Sequence, residues 1–372
     1  MLFLFLPTVS REGSNIIKKG VDIMKKKTIA VLFGGCSAEY PVSLKSAYAV
    51  LSNLNPDKYM VLPIGITRNG EWYRYIGSYE NVLNDTWTSD KKNCTSAFIS
   101  PDRSVHGAAV FEEAGVKNMT IDAAFPVLHG KNGEDGTVQG LIELAGIPLV
   151  GCNTLSSAIC MDKHRAHNLV KQQGVAVPKS VVLRRCDKHA MSAIVKDLKF
   201  PLFVKPVRAG SSFGITKIEG VDELLPAVNL AFEYDNEVIV EENIDGFEVG
   251  CAVMGNDELI VGRVDEIELS SGFFDYTEKY TLKSSKIHMP ARIDIAAEKR
   301  IQRTAELIYR ALGCSGFARV DMFYTTDRKI VFNEVNTVPG FTPHSRYPSM
   351  MRGIGLSFEN ILDKLIELSG EK

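Results

Sequence analysis

The run Thr28–Phe33, TIAVLF, is apolar from its second residue on and ends at Gly34-Gly35. A strand apolar on both faces must be covered on both, so it belongs inside a parallel sheet with helices on either side. The residues that follow fit this. Leu44, Ala47, Tyr48, Leu51 and Leu54 recur at helical spacing, with Pro41 near the helix start. Tyr59–Ile66 and Ile121–Leu128 read as further strands, and Val138, Leu141, Ile142 and Ala145 as a second helical face ended by Gly146 and Pro148. Alternating strands and helices imply a three-layer α/β domain as far as about Val150. Residues 68–120 are polar and weakly patterned, and read as an insertion.

The pattern then changes. One helix is expected from Thr154 to about Gln173, stopped by Gly174, followed by short β-rich runs at Val177–Leu183, Leu202–Lys205, Gly214–Ile218 and Glu237–Glu241. These suit an antiparallel α+β domain. Strands near Glu248–Met254 and Leu259–Asp265 precede a long helix set by Ile301, Ala305, Ile308 and Leu312, then two strands and a final helix. The expected division is 24–150, 151–241 and 242–372, in keeping with 372 residues forming two or three domains. Residues 1–23 stand apart: Leu2–Leu6 is too short for a signal-peptide core, and Met24 opens Lys25–Lys27 ahead of the first strand. A disordered leader or an upstream start codon accounts for them.

A net charge of −2 gives no general field for nucleic acid or anionic membrane, and no apolar run reaches membrane length. Seven scattered cysteines without a CxxC pair make neither a zinc site nor a disulfide framework, and are expected to be buried free thiols. The expectation is a soluble cytoplasmic protein with no nucleic-acid or membrane partner.

Two segments carry chemistry. Period two places Arg319, Asp321 and Phe323 on one face of Phe317–Tyr324, and Glu334 and Asn336 on one face of Lys329–Asn336. The turn Thr325–Arg328 is short enough for a hairpin, so the faces can coincide. Hard oxygen ligands in that number suit Mg²⁺ shared with phosphates better than zinc; a solvated face with a salt bridge accounts for the same residues equally well. The loop after Lys205, VRAGSSFG, offers two glycines, two hydroxyls and backbone N–H groups that can follow phosphate oxygens. A tight hairpin loop explains it too, and it is not a Walker A sequence because the lysine comes first. The loops Gly34–Glu39 and His129–Gly136 lie where open α/β sheets bind ligands. His164 and His167 share a helical face without further ligands and read as exposed.

Together these segments resemble the D-alanine–D-alanine ligase family, from about Lys25 to the C-terminus. The signatures are HGKNGEDGTVQG (His129–Gly140) and GFARVDMFY…FNEVNTVPG (Gly316–Gly340), with Phe332 where the family usually has Leu or Ile. The resemblance implies an ATP-grasp fold behind an N-terminal α/β domain. Gly34–Glu39, Arg208–Gly214, Phe341–His344 and Ser345–Pro348 look most like the vancomycin-resistance branch, which contains D-alanine–D-lactate and D-alanine–D-serine ligases. The segment Tyr276–Leu282 reads YTEKYTL, with the Lys-Tyr pair of amino-acid-adding relatives rather than the histidine of the lactate type. This favours D-serine as second substrate, D-alanine next.

Residue roles follow from the same resemblance. Asp321, Glu334 and Asn336 would hold two Mg²⁺ ions, or Mn²⁺, on ATP. Lys163 and Lys205 would neutralise phosphate oxygens, Ser211 and Ser212 would cover the phosphates, and Glu241 and Glu248 would meet adenine and ribose. Glu39, held by Ser211 and Tyr280, would bind the first ammonium; that amino acid's carboxylate becomes an acyl phosphate, which the second amine attacks. Arg319 and the Gly340 N–H would stabilise the oxyanion. His129 belongs to the amino-acid site, Ser345 with Arg346 beside it would receive the second carboxylate, and Lys279 and Tyr280 would sit on a loop that excludes water. A homodimer is implied by family. Two rivals are another ATP-grasp enzyme, whether carboxylate–amine ligase or biotin-dependent carboxylase, and a non-catalytic nucleotide-binding regulator. Glu39, the His129 loop and Ser345 argue against the first, and the full set of metal ligands against the second.

Overall fold

The structure is a computed structural model and describes residues 26–185, 188–210, 213–269 and 285–371. It begins with β1 (Lys27–Gly34), α1 (Tyr40–Asn53), β2 (Tyr59–Ile66), β3 (Trp72–Tyr75), α2 (Tyr79–Leu83), β4 (Cys94–Ile99), β5 (Gly107–Glu112), β6 (Gly115–Thr120), β7 (Ala123–Pro126) and α3 (Thr137–Leu144). The strands make one sheet in the order β6-β5-β4-β3-β2-β1-β7. β1 lies parallel to both β2 and β7, with Ile29 opposite Val61 and Ala123. Its alternate side chains enter two different cores: Ile29, Val31 and Phe33 pack with Leu44 and Ala47 of α1, whereas Ala30 and Leu32 pack with Ile142 of α3. Both faces are covered, as the apolar run requires.

Residues 68–120 are not a separate insertion. They extend the sheet through the antiparallel strands β3 to β6. Their anchor is Trp87, fully buried, packed edge-on to Phe33 with centroids 5.2 Å apart and donating its indole N–H to the Tyr40 hydroxyl at 3.0 Å. The weak pattern has a physical cause: β6 lies at the edge and exposes nearly every side chain, so alternation has no core to read.

The expected helix after Thr154 is two helices, α4 (Thr154–Met161) and α5 (Lys163–Gln172). Asp162 breaks them by leaving helical geometry; its carboxylate accepts the Arg165 N–H at 2.9 Å and pairs with the Arg165 guanidinium. Then come β8 (Ser180–Leu183), α6 (Lys188–Asp197), β9 (Leu202–Pro206), β10 (Thr216–Ile218), α7 (Leu224–Phe232) and β11 (Val238–Glu242). The strands form an antiparallel sheet, β10-β9-β11-β8. Its core joins Leu202, Val204, Val238 and Val240 to Ala227 and Val228 of α7.

The last part comprises β12 (Gly246–Gly255), β13 (Leu259–Leu269), β14 (Ser285–His288), α8 (Ile295–Ala311), β15 (Gly316–Thr325), β16 (Ile330–Asn336), α9 (Arg346–Arg352) and α10 (Phe358–Ser369). The five strands form an antiparallel sheet, β14-β13-β12-β15-β16. Ile301, Ala305 and Ile308 of α8 pack on one face of it, against Val249, Cys251 and Val320. The other face joins the first sheet. Phe317 and Phe341 lie 5.4 Å apart and 6.1 and 5.6 Å from Phe125, with Tyr347 and α10 in the same core. This shared aromatic core fixes the first sheet against the third.

Candidate active site

The signature His129–Gly140 shapes itself. Gly130 takes φ +75°, and a Cβ there would lie 2.4 Å from Glu39 Oε2, so glycine alone lets the loop pass. Its N–H donates to Glu134 Oε2 at 2.9 Å; Asp135 accepts from the N–H groups of Asn132 and Thr137, and Gln139 donates to the Gly133 carbonyl at 2.7 Å. Ser37 Oγ donates to the His129 carbonyl at 2.7 Å, tying this loop to Gly34–Glu39. Glu39 and Glu134 are thereby held side by side, both nearly buried. Burial pushes the Glu134 carboxyl well above the usual carboxylate range, and the neighbouring Glu39 carboxylate adds to the shift.

The hairpin brings its ligand-type residues together in register: Asp321 lies opposite Glu334, and Arg319 opposite Asn336. Arg319 grips Asp321 through Nε and Nη2 at 2.8 and 2.7 Å, and Asn336 Nδ2 donates to Asp321 Oδ2 at 2.8 Å. Lys163, just past the Asp162 break, donates to the Ala209 carbonyl at 2.9 Å and lies 3.6 Å from Glu334. Lys205 pairs with Glu241 at 2.7 Å. Burial acts to raise the Glu241 carboxyl, but Lys205 and then His167 hold it below its ordinary value.

His167 corrects the expectation of an exposed helix face. It is buried, its Nε2–H reaches the Asn333 carbonyl at 2.8 Å, and its Nδ1 lies 3.4 Å from Glu241 Oε1. Of the cysteines, Cys152, Cys160, Cys251 and Cys314 are buried, but Cys36 is exposed and Cys94 half-buried, so burial is not general. Ser211, Ser212, Lys279 and Tyr280 lie outside the described residues.

Two cavities meet at this face. One, of about 350 Å³, is lined by Glu39, Ser46, His129, Glu134, Arg319, Asn336, Gly340, Ser345 and Arg346. The other, of about 400 Å³, lies between the second and third sheets and is lined by Phe203, Lys205, Glu241, Phe247, Glu266 and Asn333. Lys163, Ala209, Glu248 and Glu334 line both. Gly340 abuts Ser345, whose Oγ accepts the Thr342 N–H at 3.0 Å. Arg346 is committed within the protein: bidentate to Asp265 at 2.7 and 2.8 Å, 3.0 Å from Glu248 and 3.5 Å from Asp321. A Cβ at Gly250 would lie 2.4 Å from Arg346 Nη2, so this network needs glycine there.

Several of these residues were not evident as site residues in the sequence. Ser43 and Ser46 are fully buried at four and seven residues past Glu39, one face of α1. Asp265 is buried inside a strand, and two polar residues on a helix face or one acid in an apolar run are the signals available for them.

The cavity between antiparallel sheets can take an ATP-sized ligand. Glu241 lines this cavity, one oxygen paired with Lys205 and the other, Oε1, 3.4 Å from His167 Nδ1. Asp321, Glu334 and Asn336 supply oxygen donors of the kind Mg²⁺ takes, from two paired strands, and so fit that ion.

Two antiparallel sheets closed on a cleft of lysines and carboxylates, behind an α/β layer structure, define an enzyme of the ATP-grasp fold. Residues 28–152 match the D-ala D-ala ligase N-terminus family and residues 169–367 the D-ala D-ala ligase C-terminus family. The chain belongs to the D-alanine–D-alanine ligase family. It is 65% identical to the VanG D-Ala:D-Ser ligase from Enterococcus faecalis, whose crystal structure superposes with a TM-score of 0.87 over 93% of this chain and 100% of that one. It is 45% identical to the vancomycin C-type resistance protein VanC1 of Enterococcus gallinarum, over 93% of this chain and 99% of the relative. To the D-alanine–D-alanine ligase of Caldicellulosiruptor bescii it is 43% identical, over 94% and 96%. Among the described residues no helix is long and apolar enough to cross a membrane.

Proposed function

We propose that the protein joins D-alanine to D-serine at the cost of ATP, through D-alanyl phosphate, for modified peptidoglycan precursors and hence vancomycin resistance. The observation that carries the reading is the wall shared by the two cavities: Lys163, Ala209, Glu248 and Glu334 face both. A phosphoryl group handed from nucleotide to amino acid has to cross such a boundary.

In this reading Glu39 binds the D-alanine ammonium, with Ser211 and Tyr280 supporting it. The D-alanine carboxylate attacks the γ-phosphate, releasing ADP and forming the acyl phosphate. The second amine attacks that carbonyl, phosphate leaves, and a proton is lost as the amide forms. Arg319 and the Gly340 N–H meet the negative charge of the tetrahedral stage. Lys163 and Lys205 hold phosphate oxygens, Ser212 and Lys279 close over them, and Glu241 takes the adenine end. Glu248, already bonded to Arg346, faces the ribose. Asp321, Glu334 and Asn336 would hold two Mg²⁺ ions, whose chemistry there is neutralisation of phosphate charge. His129 reaches the substrate indirectly, because both ring nitrogens bond to protein. Ser345 receives the second carboxylate and Arg346 orders the surrounding acids. Residues 24–150 supply the amino-acid end, and 151–241 with 242–372 the nucleotide cleft, in a cytoplasmic homodimer.

D-serine is favoured by YTEKYTL and by the 65% identity to the enterococcal D-Ala:D-Ser ligase. D-alanine is the second candidate, supported by 43% identity to a D-alanine–D-alanine ligase. A site that hydrogen-bonds the serine hydroxyl rejects its absence strongly, because a buried polar group is left unpaired at about 1–3 kcal/mol. The test is competition among labelled D-alanine, D-serine and D-lactate at equal concentrations, with product identification. D-alanyl-D-serine is expected to dominate. Predominant D-alanyl-D-alanine would select the second candidate, and predominant depsipeptide would sink the amine-selective reading.

A further inference from the structure

Ser46 has no part in the reading so far, yet it is fully buried and holds two distant segments. Its Oγ lies 3.1 Å from His129 Nε2 and accepts the Phe341 N–H at 3.1 Å. On the other side of the ring, His129 Nδ1 lies 2.9 Å from the Val338 carbonyl. For a neutral ring these contacts admit one consistent set of protons. A carbonyl cannot donate, so Nδ1 carries the hydrogen and Nε2 is the acceptor. The Ser46 hydroxyl must then donate to Nε2, which leaves its lone pair for the Phe341 N–H. Burial, which pushes the His129 pKa down, agrees with the neutral ring this requires.

The two anchored atoms, the Val338 carbonyl and the Phe341 N–H, bracket Pro339 and Gly340. Proline has no N–H and a fixed φ. Within the bracket the Gly340 amide is therefore the donor that the clamp does not use. We propose that Ser46 and His129 form a clamp that aims the Gly340 N–H at the developing oxyanion, with Ser46 a positioning residue for the bond-forming step. This rests on the ligase reading above. Ser46 lies on the face of α1 that Glu39 begins, so one helix fixes both the ammonium-binding carboxylate and, through His129, the oxyanion donor.

A group that positions an oxyanion donor acts on the transition state more than on bound substrates. Outright loss of such a donor costs roughly 10²–10³-fold in kcat; for Ser46→Ala, which loosens it, kcat is expected to fall roughly 10–100-fold. The KM values for ATP and D-alanine should stay within about twofold of wild type. Affinity for a phosphinate dipeptide, which presents tetrahedral oxygens, should fall in step with kcat. Ser46→Cys fills the same volume with a weak donor and acceptor, and should behave like alanine; Ser46→Thr keeps the hydroxyl and should restore most of kcat. If Ser46→Ala does not fold, the Cys and Thr pair carries the same comparison. Wild-type kcat in the Cys variant, or phosphinate affinity unchanged while kcat falls, overturns the clamp. Failure of the wild-type enzyme to release ADP with D-alanine and ATP would instead overturn the ligase reading beneath it.

Discussion

Glu134 has a carboxyl whose environment departs far from water. Its carboxyl is buried beside Glu39, accepts one backbone N–H from Gly130, and is pushed well above the usual carboxylate range by that burial and by the Glu39 charge. The sign of the pH effect follows. The unfolded carboxyl ionises near 4.3, whereas the folded one keeps its proton to higher pH. Between these values the native state binds more protons than the unfolded state, so stability is full below the unfolded value and declines as pH rises. Glu134→Gln keeps the shape and an oxygen for the Gly130 N–H but cannot ionise. Melting temperatures of the two proteins should therefore diverge as pH rises from 4 to 8, with the variant the more stable at the upper end. Parallel curves would show that the carboxyl carries no such penalty.

At the scale of elements, the break between α4 and α5 decides where Lys163 points. Asp162 caps α5 and holds Arg165, and the Lys163 N–H bonds the Val207 carbonyl at 3.3 Å. Asp162→Ala should lower stability by about 0.5–2 kcal/mol through the lost cap, visible as a lower denaturation midpoint, and should weaken nucleotide affinity as Lys163 loosens. Asp162→Asn, which still caps, should lie near wild type on both measures. A capped break was hard to read because even the poor helix propensity of aspartate, about 0.7 kcal/mol below alanine, is outweighed by the helical pattern on either side. Strands such as β1, β15 and β16 were plain, since two covered faces or strict alternation leave a pattern in the residues themselves. The same holds for the site. Asp321, Glu334 and Asn336 fall within one hairpin, where strand period alone aligns them. Ser46, His129 and Phe341 are joined only by folding, across separations of 83 and 295 residues, and His167, on a helix, reads as exposed because its partners Asn333 and Glu241 arrive from the distant strands β16 and β11.

For the whole molecule, the proposed reading makes nucleotide, metal and amino acid parts of one binding problem, because the cavities share a wall. Glu334 stands in that wall, opposite Asp321 across the hairpin and 3.6 Å from Lys163. Its side chain is only about a quarter exposed, at 23%, and sits on a surface that the apolar cores do not use. Replacing it by glutamine should leave the ligand-free protein folded with an unchanged melting temperature. What changes is charge: the site loses an anion next to Asp321, and a dication shared with phosphates is held less well. A ligand that binds only the native state stabilises it by about 2.7 kcal/mol at one hundred times its Kd. In the wild-type enzyme, ADP with Mg²⁺ should therefore raise the melting temperature more than ADP with a chelator. In Glu334→Gln the two should converge, and ligation of D-alanine should be abolished at ordinary Mg²⁺. A variant that kept the Mg²⁺-dependent increment and wild-type turnover would remove Glu334 from the metal site.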